Sequence, residues 1–326
     1  MITYDYGEDI LMAMNRLSSD RFLEDVRTTA AAIGAPFSER ATRRILDVYE
    51  KNFSTGAVLW KTTSRPGDSL SYRFYSRDRT DTLDLAVRAG LLDPETPLAP
   101  LVTSWSSLNG GSANQSCDFD AGTGLAKTWV FLGETLSLDE VLGVDLVPET
   151  LRRHAPVFRQ QGLEHVRFMA VDYRYNTVNF YFRVRGPFSR AQHVGITRIV
   201  QGSPPPEVLT VEIGELLPKN DYLTAVTVSV DSGLLERAAF YAAQIPKGKF
   251  PVVGERLSLF FSQAPSHDAT DVNIVAWSFG GHAGSYIKGE RSWYGDLASL
   301  FKEWKVLASG SEQKDPVLRP TTAATI

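Results

Sequence analysis

Apolar positions change rhythm once along the chain. Between residues 20 and 50 they recur at three and four residues, placing Phe22, Val26, Ala30 and Ile33 on one helix face and Ala41, Ile45, Val48 and Tyr49 on another. From residue 57 the period becomes two, and pairs of alternating strand-like runs are each followed by a short amphipathic segment. Five such units are predicted, with strand pairs starting near residues 57, 104, 165, 222 and 271. The repeat, at roughly 50 to 60 residues, is one of pattern, with negligible sequence identity between units. Hairpin turns are expected at Pro66-Gly67-Asp68, Asn176, Ser232-Gly233 and Gly280-Gly281 with Gly284, so the pairing is antiparallel and local. In the second unit SSLNGGSANQSCDFDAGTG reads as a long Gly/Ser/Asn-rich connection before the second strand. Leu257, Phe260, Phe261 and Ala264, then Leu297, Leu300, Phe301 and Trp304, mark two helices, each expected to cover a face of the sheet.

Side chains alternate across a strand, so parity separates two surfaces. One carries Leu70, Tyr72 and Phe74, then Val166, Phe168 and Ala170, then Val178, Phe180 and Phe182. The opposite parity carries Lys61, Arg73 with Tyr75, Lys127 with Trp129 and Phe131, Arg167 with Met169 and Val171, Asn179 with Tyr181 and Arg183, Arg237 with Tyr241, and Tyr286 with Lys288 and Glu290. An antiparallel sheet commonly exposes one polar face to solvent. A solvent face, however, mixes Lys and Glu with Ser and Thr, whereas isolated cations among Trp, Tyr, Phe and Met call for partial burial. About ten strands also exceed the roughly eight whose side chains just fill a barrel, so a closed barrel of this size encloses a cavity. The basic and aromatic face is therefore expected to line a lumen, with helices over the apolar face.

Bulk properties narrow the partners. A net charge of −4 over 326 residues, without a basic or acidic block, offers no footprint for nucleic acid or an anionic membrane. No apolar run approaches the roughly 18 residues of a membrane span, and MITYDYGEDI lacks a signal-peptide layout, so a cytoplasmic protein is expected. The single Cys117 forms no internal disulfide, and five scattered histidines contain no HExxH. Asp78, Asp81 and Asp84 do not make the (N/D)DxxD cluster of trans-prenyl synthases and are expected to cap a helix. GTGLAKT has Ala126 where a phosphate loop requires Gly, and a strand follows it; Ser266-His267-Asp268, being adjacent, reads as a cap after the helix ending near Ala264.

The segments LWKTTSRPGDSLSYRFYSR, QSCDFDAGTGLAKTWVFLG, HVRFMAVDYR with VNFYF, APSHD, and WSFGG followed by YIKGERS resemble, in order and spacing, the bacterial aromatic prenyltransferases of the ABBA fold. The likeness runs from about residue 20 to 305 and is strongest to the subgroup acting on 4-hydroxyphenylpyruvate, with relatives acting on phenazine or carbazole-type acceptors. It implies an α+β fold, a ten-stranded antiparallel barrel inside a ring of helices, here one domain over residues 1–308; the polar, Pro-containing residues 309–326 read as a disordered tail. It implies a monomeric enzyme that moves a dimethylallyl group from its diphosphate to an electron-rich aromatic small molecule. Diphosphate binding falls on Lys61, Arg73, Lys127, Arg237 and Lys288, with Asn179 and Tyr181 as hydrogen-bonding partners. Some relatives place an Mg²⁺-binding Asp where this chain has Arg73, which implies a metal-independent enzyme without a cofactor.

Fixed cations stabilise the charge that develops on a leaving diphosphate, and aromatic faces attract the allylic cation while excluding water. Trp129, Tyr181, Tyr241 and Tyr286, with Met169, are the candidates for that shielding pocket, each weighed against simple packing. Glu290 is the one lumen carboxylate that parity finds beside the basic set, a candidate acceptor for the O–H, N–H or ring proton unless it pairs with Lys288. Arg167 is expected to pair with an acceptor carboxylate or with Glu290. The competing class is a carrier barrel holding an anionic amphipathic ligand without turnover, and a cyclase or phosphatase acting on prenyl diphosphates is a further one.

Overall fold

The computed structural model describes residues 18–111, 113–243, 245, 249–281 and 284–304. Ten strands alternate with helices: β1 Ala57–Thr63, β2 Ser71–Tyr75, β3 Asn114–Asp120, β4 Gly124–Ser137, β5 His165–Asp172, β6 Thr177–Arg185, β7 Asp221–Ser229, β8 Leu235–Ala242, β9 Asn273–Phe279 and β10 Tyr286–Tyr294. Each strand pairs antiparallel with its neighbours in sequence, and β1 meets β10 to close the ring. Closure places Lys61 opposite Glu290 on one side and opposite Ser71 on the other, so one register brings a cation and an acid from the two ends of the barrel sequence together. Closure also leaves no unpaired edge. The turns that permit it lie where the chain adopts positive φ: Gly67 at 79°, Asn176 at 49° and Gly233 at 66°.

Helices cover the outer face as the apolar periodicity requires. Helix Ser19–Ala32 starts at Ser18, whose side chain accepts from the Arg21 N–H, and it buries Phe22, Leu23, Val26 and Ala30. Phe22 packs against Trp60, Tyr72 and Trp293 at ring-centre distances of 5.1, 5.1 and 4.8 Å, a contact whose loss costs about 3 to 5 kcal/mol on Phe→Ala. Helix Glu255–Gln263 lies over β10 and β1, and Gly289 admits it: a Cβ there would come within 2.9 Å of the Phe261 ring. Asp81 caps helix Thr82–Arg88, as expected. Asp268 accepts from the N–H groups of Asp296 and Leu297, so it caps the following helix rather than the preceding one.

Four expectations are corrected. Residues near 104 lie in helix Ala99–Ser106, opened by Pro100 and anchored by buried Trp105, whose indole N–H donates to the Val141 carbonyl at 3.1 Å. NQSCDFD, read as connection, is strand β3. In β5 the register shifts between Val166 and Phe168, so a β-bulge reverses the parity: Phe168 and Ala170 face the lumen cluster, while Met169 and Val171 join the outer core. Met169 therefore lies in the outer core, away from the lumen. Finally, helix Leu297–Glu303 covers no outer face. Leu297, Leu300 and Phe301 pack with the lumen residues, and the helix closes one end of the barrel. The proposed tail, residues 309–326, lies outside the described residues.

Candidate active site

Strands with alternating residues and one covered face must turn their remaining parity inward, and the lumen receives the cations from five separate strands. Lys61, Arg73, Lys127, Arg237 and Lys288 line one open-mouthed cavity of about 470 Å³ together with Asn179, Tyr181, Tyr241, Tyr286 and Glu290. Its rim is formed by the β1–β2 turn with Arg65 and Asp68 and by the β5–β6 turn with Arg174 and Tyr175. A larger groove of about 620 Å³ opens beside helix Leu297–Glu303, but it gathers Asp268, Asp271 and Asp296 and contains none of the basic set.

Two lumen carboxylates that pair with the basic set escaped the parity reading, beside Asp120, which pairs with Arg174 at the rim. Asp118 on β3 meets Arg73 through both of its oxygens and also receives Lys61. Asp172 ends β5 and pairs with Lys127 at 2.7 Å. The first was hidden because its strand was read as a loop, the second because the bulge inverted the parity of its strand. Burial pushes the Asp118 carboxyl up, but Arg73 and Lys61 outweigh it and hold the group well below the usual carboxylate range. Glu290 is thus not alone. It stands 3.7 Å from Arg73 Nη1, and the alternative, a pair with Lys288, does not form among the described residues.

The two cations left without a carboxylate among the described residues are Arg237 and Lys288. Lys288 donates to the Tyr241 hydroxyl at 3.2 Å, which in turn lies 3.4 Å from that of Tyr181. Burial pulls the Lys288 ammonium well below the usual lysine range, and Arg237, Lys127 and Lys61 push the same way. Arg237 Nη2 donates to Thr227 Oγ1 at 3.0 Å, Thr227 donates to Asn179 Oδ1 at 2.5 Å, and the buried Arg237 Nε has no partner among the described residues. Thr227 was not anticipated; it shares the lumen parity of β7 with Ala225, a signal the sequence did carry. This surplus of positive charge suits a polyanion, with forked guanidinium donors and point-charge ammoniums side by side.

Deeper in the lumen the lining turns aromatic. The Arg73 guanidinium lies 3.9 Å over the Trp129 ring, and Trp129 packs on Tyr181 and Phe168 at 4.8 and 5.7 Å. Phe131, Tyr75 and Phe301 continue the wall, and Glu290 lies in the same lining. Arg167 does not. It sits beyond Phe131, donating to the Gly133 carbonyl at 3.0 Å and to the Trp304 carbonyl, because the bulge turns it to the barrel end. Neither an acceptor in the chamber nor Glu290 is within its setting, contrary to expectation.

A cationic mouth thus joins an aromatic chamber within a closed ten-stranded barrel, and comparison with known proteins gives the class, an aromatic prenyltransferase. Residues 17–305 match the aromatic prenyltransferase Orf2 family, and the chain belongs to that family. It is 46% identical over 295 residues to an aromatic prenyltransferase of Sclerotinia sclerotiorum, covering 89% of this chain and 95% of the relative. It is 43% identical over 300 residues to the 4-hydroxyphenylpyruvate 3-dimethylallyltransferase of Streptomyces niveus, covering 92% of each. Among solved structures, 5-dimethylallyltryptophan synthase from Streptomyces coelicolor shares the fold at a TM-score of 0.54 and 11% identity, over 85% of this chain and 97% of that one. The prenyltransferase PriB, solved with L-tryptophan and dimethylallyl thiolodiphosphate, shares it at 0.52 and 14%, over 84% and 95%.

Proposed function

We propose that this protein transfers a dimethylallyl group from dimethylallyl diphosphate to an electron-rich phenol, phenazine, carbazole or indole, without a metal ion, as a cytoplasmic monomer. The observation that carries the reading is the continuity of five cations at the mouth with an aromatic chamber containing Glu290. Lys61, Arg73, Lys127, Arg237 and Lys288, with Asn179 and Tyr181, hold the diphosphate. The allylic C–O bond breaks with its electron pair leaving on diphosphate, and these groups stabilise that charge as it grows. Trp129, Tyr181, Tyr241 and Tyr286 shield the allylic cation. An aromatic carbon then forms the new C–C bond, and the proton lost from the acceptor passes to Glu290.

Metal independence is supported by Arg73 and Lys61, which engage both oxygens of Asp118 and supply in fixed form the positive charge a bound cation would bring. The test is product formation from dimethylallyl diphosphate and a panel of the four acceptor classes, with and without EDTA. Prenylated product undiminished by chelation is expected. Turnover abolished by EDTA and restored by Mg²⁺ overturns the metal-free reading, and ligand binding without turnover supports a carrier instead.

A further inference from the structure

The chamber below the diphosphate mouth is almost full. About 30 Å³ is free among Tyr75, Trp129, Phe131, Phe168, Ile274 and Phe301, against the roughly 150 Å³ of an apolar cavity that takes up benzene. An aromatic acceptor enters this chamber only if part of its wall withdraws. Ten of its twelve lining residues stand on barrel strands, clamped between two hydrogen-bonded neighbours and the outer core; the exceptions are Ala243, one residue past β8, and Phe301, carried on helix Leu297–Glu303. That helix is held by side chains. At its start Asp268 receives the Asp296 and Leu297 N–H groups, at 2.8 and 3.2 Å. At its end Arg167 donates to the Trp304 carbonyl while its other arm grips Gly133 on β4. Trp304 and Phe301 then lie against Phe131 and Tyr75, at 4.9 and 5.4 Å between ring centres.

We infer that helix Leu297–Glu303 is the yielding floor of the acceptor chamber, that Phe301 sets the size of the aromatic ring admitted, and that Arg167 is a positioning residue latching the floor shut. The inference rests on the proposed acceptor chemistry for its ligand but not for the latch itself. Asp268 forms the fixed end, since it binds backbone at the helix start, where Arg77 also donates to the Gly295 carbonyl at 2.8 Å; Arg167 forms the releasable end, since its guanidinium ties the Trp304 carbonyl to β4 and the further tie there, Arg77 to Glu303 at 3.5 Å, is exposed. Burial pulls that guanidinium down to about 10 but leaves it charged at neutral pH, so the grip on two carbonyls is charge-assisted.

The full-length protein loaded with the unreactive thiolodiphosphate donor analogue allows acceptor binding to be measured without turnover. Calorimetry with 4-hydroxyphenylpyruvate and with tricyclic 1-hydroxyphenazine gives a ratio of dissociation constants. Phe301→Ala should shift that ratio toward the tricyclic probe by about tenfold or more, the worth of opening a hydrophobic pocket by a side chain, with analogue affinity unchanged. Arg167→Ala should shift it in the same direction and Arg167→Lys, which keeps one donor, by less. A ratio unmoved by Phe301→Ala and Arg167→Ala overturns the inference. If no acceptor binds the wild type, the proposed function fails, and hydrogen exchange of residues 296–304 still decides the latch: Arg167→Ala should raise it about tenfold without affecting β1. Unaltered exchange overturns the latch.

Discussion

The Arg73 guanidinium meets Asp118, Tyr75, Glu290 and the face of Trp129 at once, so it links the anionic and aromatic halves of the site. Opposing effects act on it: burial favours the neutral form, while Asp118, Tyr75 and Glu290 favour the charged form and prevail. Glu290 is the acid at the aromatic chamber that remains for chemistry, since Asp118 is occupied by two cations, Asp172 by Lys127 and Asp120 by Arg174. Replacing Glu290 by Gln preserves volume and one acceptor oxygen but removes the base. Donor affinity should persist while prenylation falls by about 10²-fold or more, with hydrolysis of the donor to free alcohol continuing. Calorimetry with the donor analogue, beside the ratio of prenylated product to alcohol, separates the roles. A loss of donor affinity would mean that Glu290 mainly orients Arg73.

At the scale of strands, most of the lumen was legible because period-two alternation is a geometric property of extended chain. Lys61, Arg73, Lys127, Asn179, Tyr181, Arg237, Tyr241, Tyr286, Lys288 and Glu290 all fall inside as parity requires. The method fails where a strand carries an extra residue. The β5 bulge between Val166 and Phe168 cost the reading Met169, Arg167 and Asp172 together, since one inserted residue reverses every side chain beyond it. Asp118 was lost for a different reason: Asn, Ser and Asp in NQSCDFD argue for a loop, and only closure against β2 and β4 makes the segment a strand. Asp118 joins β1, β2 and β3 by accepting from Lys61 and Arg73, so its role is tested at this scale. Asp118→Asn should lower stability by up to about 3 to 5 kcal/mol in the empty protein, because two buried cations lose their counterion. Inorganic pyrophosphate should then bind more tightly and restore more of the lost melting temperature than in wild type. Weaker pyrophosphate binding in Asp118→Asn would show that Asp118 serves to aim Arg73 rather than to neutralise it.

The whole molecule is a barrel sealed by helices, and the seal has its own titratable group. His193, on helix Arg190–Ile199, is fully buried between Phe188, Phe240 and Phe279. Its Nδ1 lies 3.0 Å from Thr210 Oγ1, and its Nε2 has no hydrogen-bond partner among the described residues. Burial alone lowers its pKa to about 4. The folded protein therefore binds fewer protons here than the unfolded chain, whose histidine titrates near 6.5, and stability falls as pH drops through that window. The slope is about 1.4 kcal/mol per pH unit, on the order of 3 kcal/mol between pH 6.5 and 4. Asp118, held low in the folded state, contributes stability that is complete above the ordinary carboxylate range and is lost only at lower pH than this, so the two windows separate. His154 is also lowered by burial and adds to the slope in wild type. The difference between wild type and His193→Phe isolates His193. The phenyl ring keeps the aromatic contacts and removes the proton site, so the variant should lose less stability on acidification, by close to one proton in the slope. Chemical denaturation at half-unit steps from pH 7 to 4.5 measures it. Parallel slopes for the two proteins would mean that water reaches the ring in the folded state and that the helix layer over β8 and β9 is not sealed.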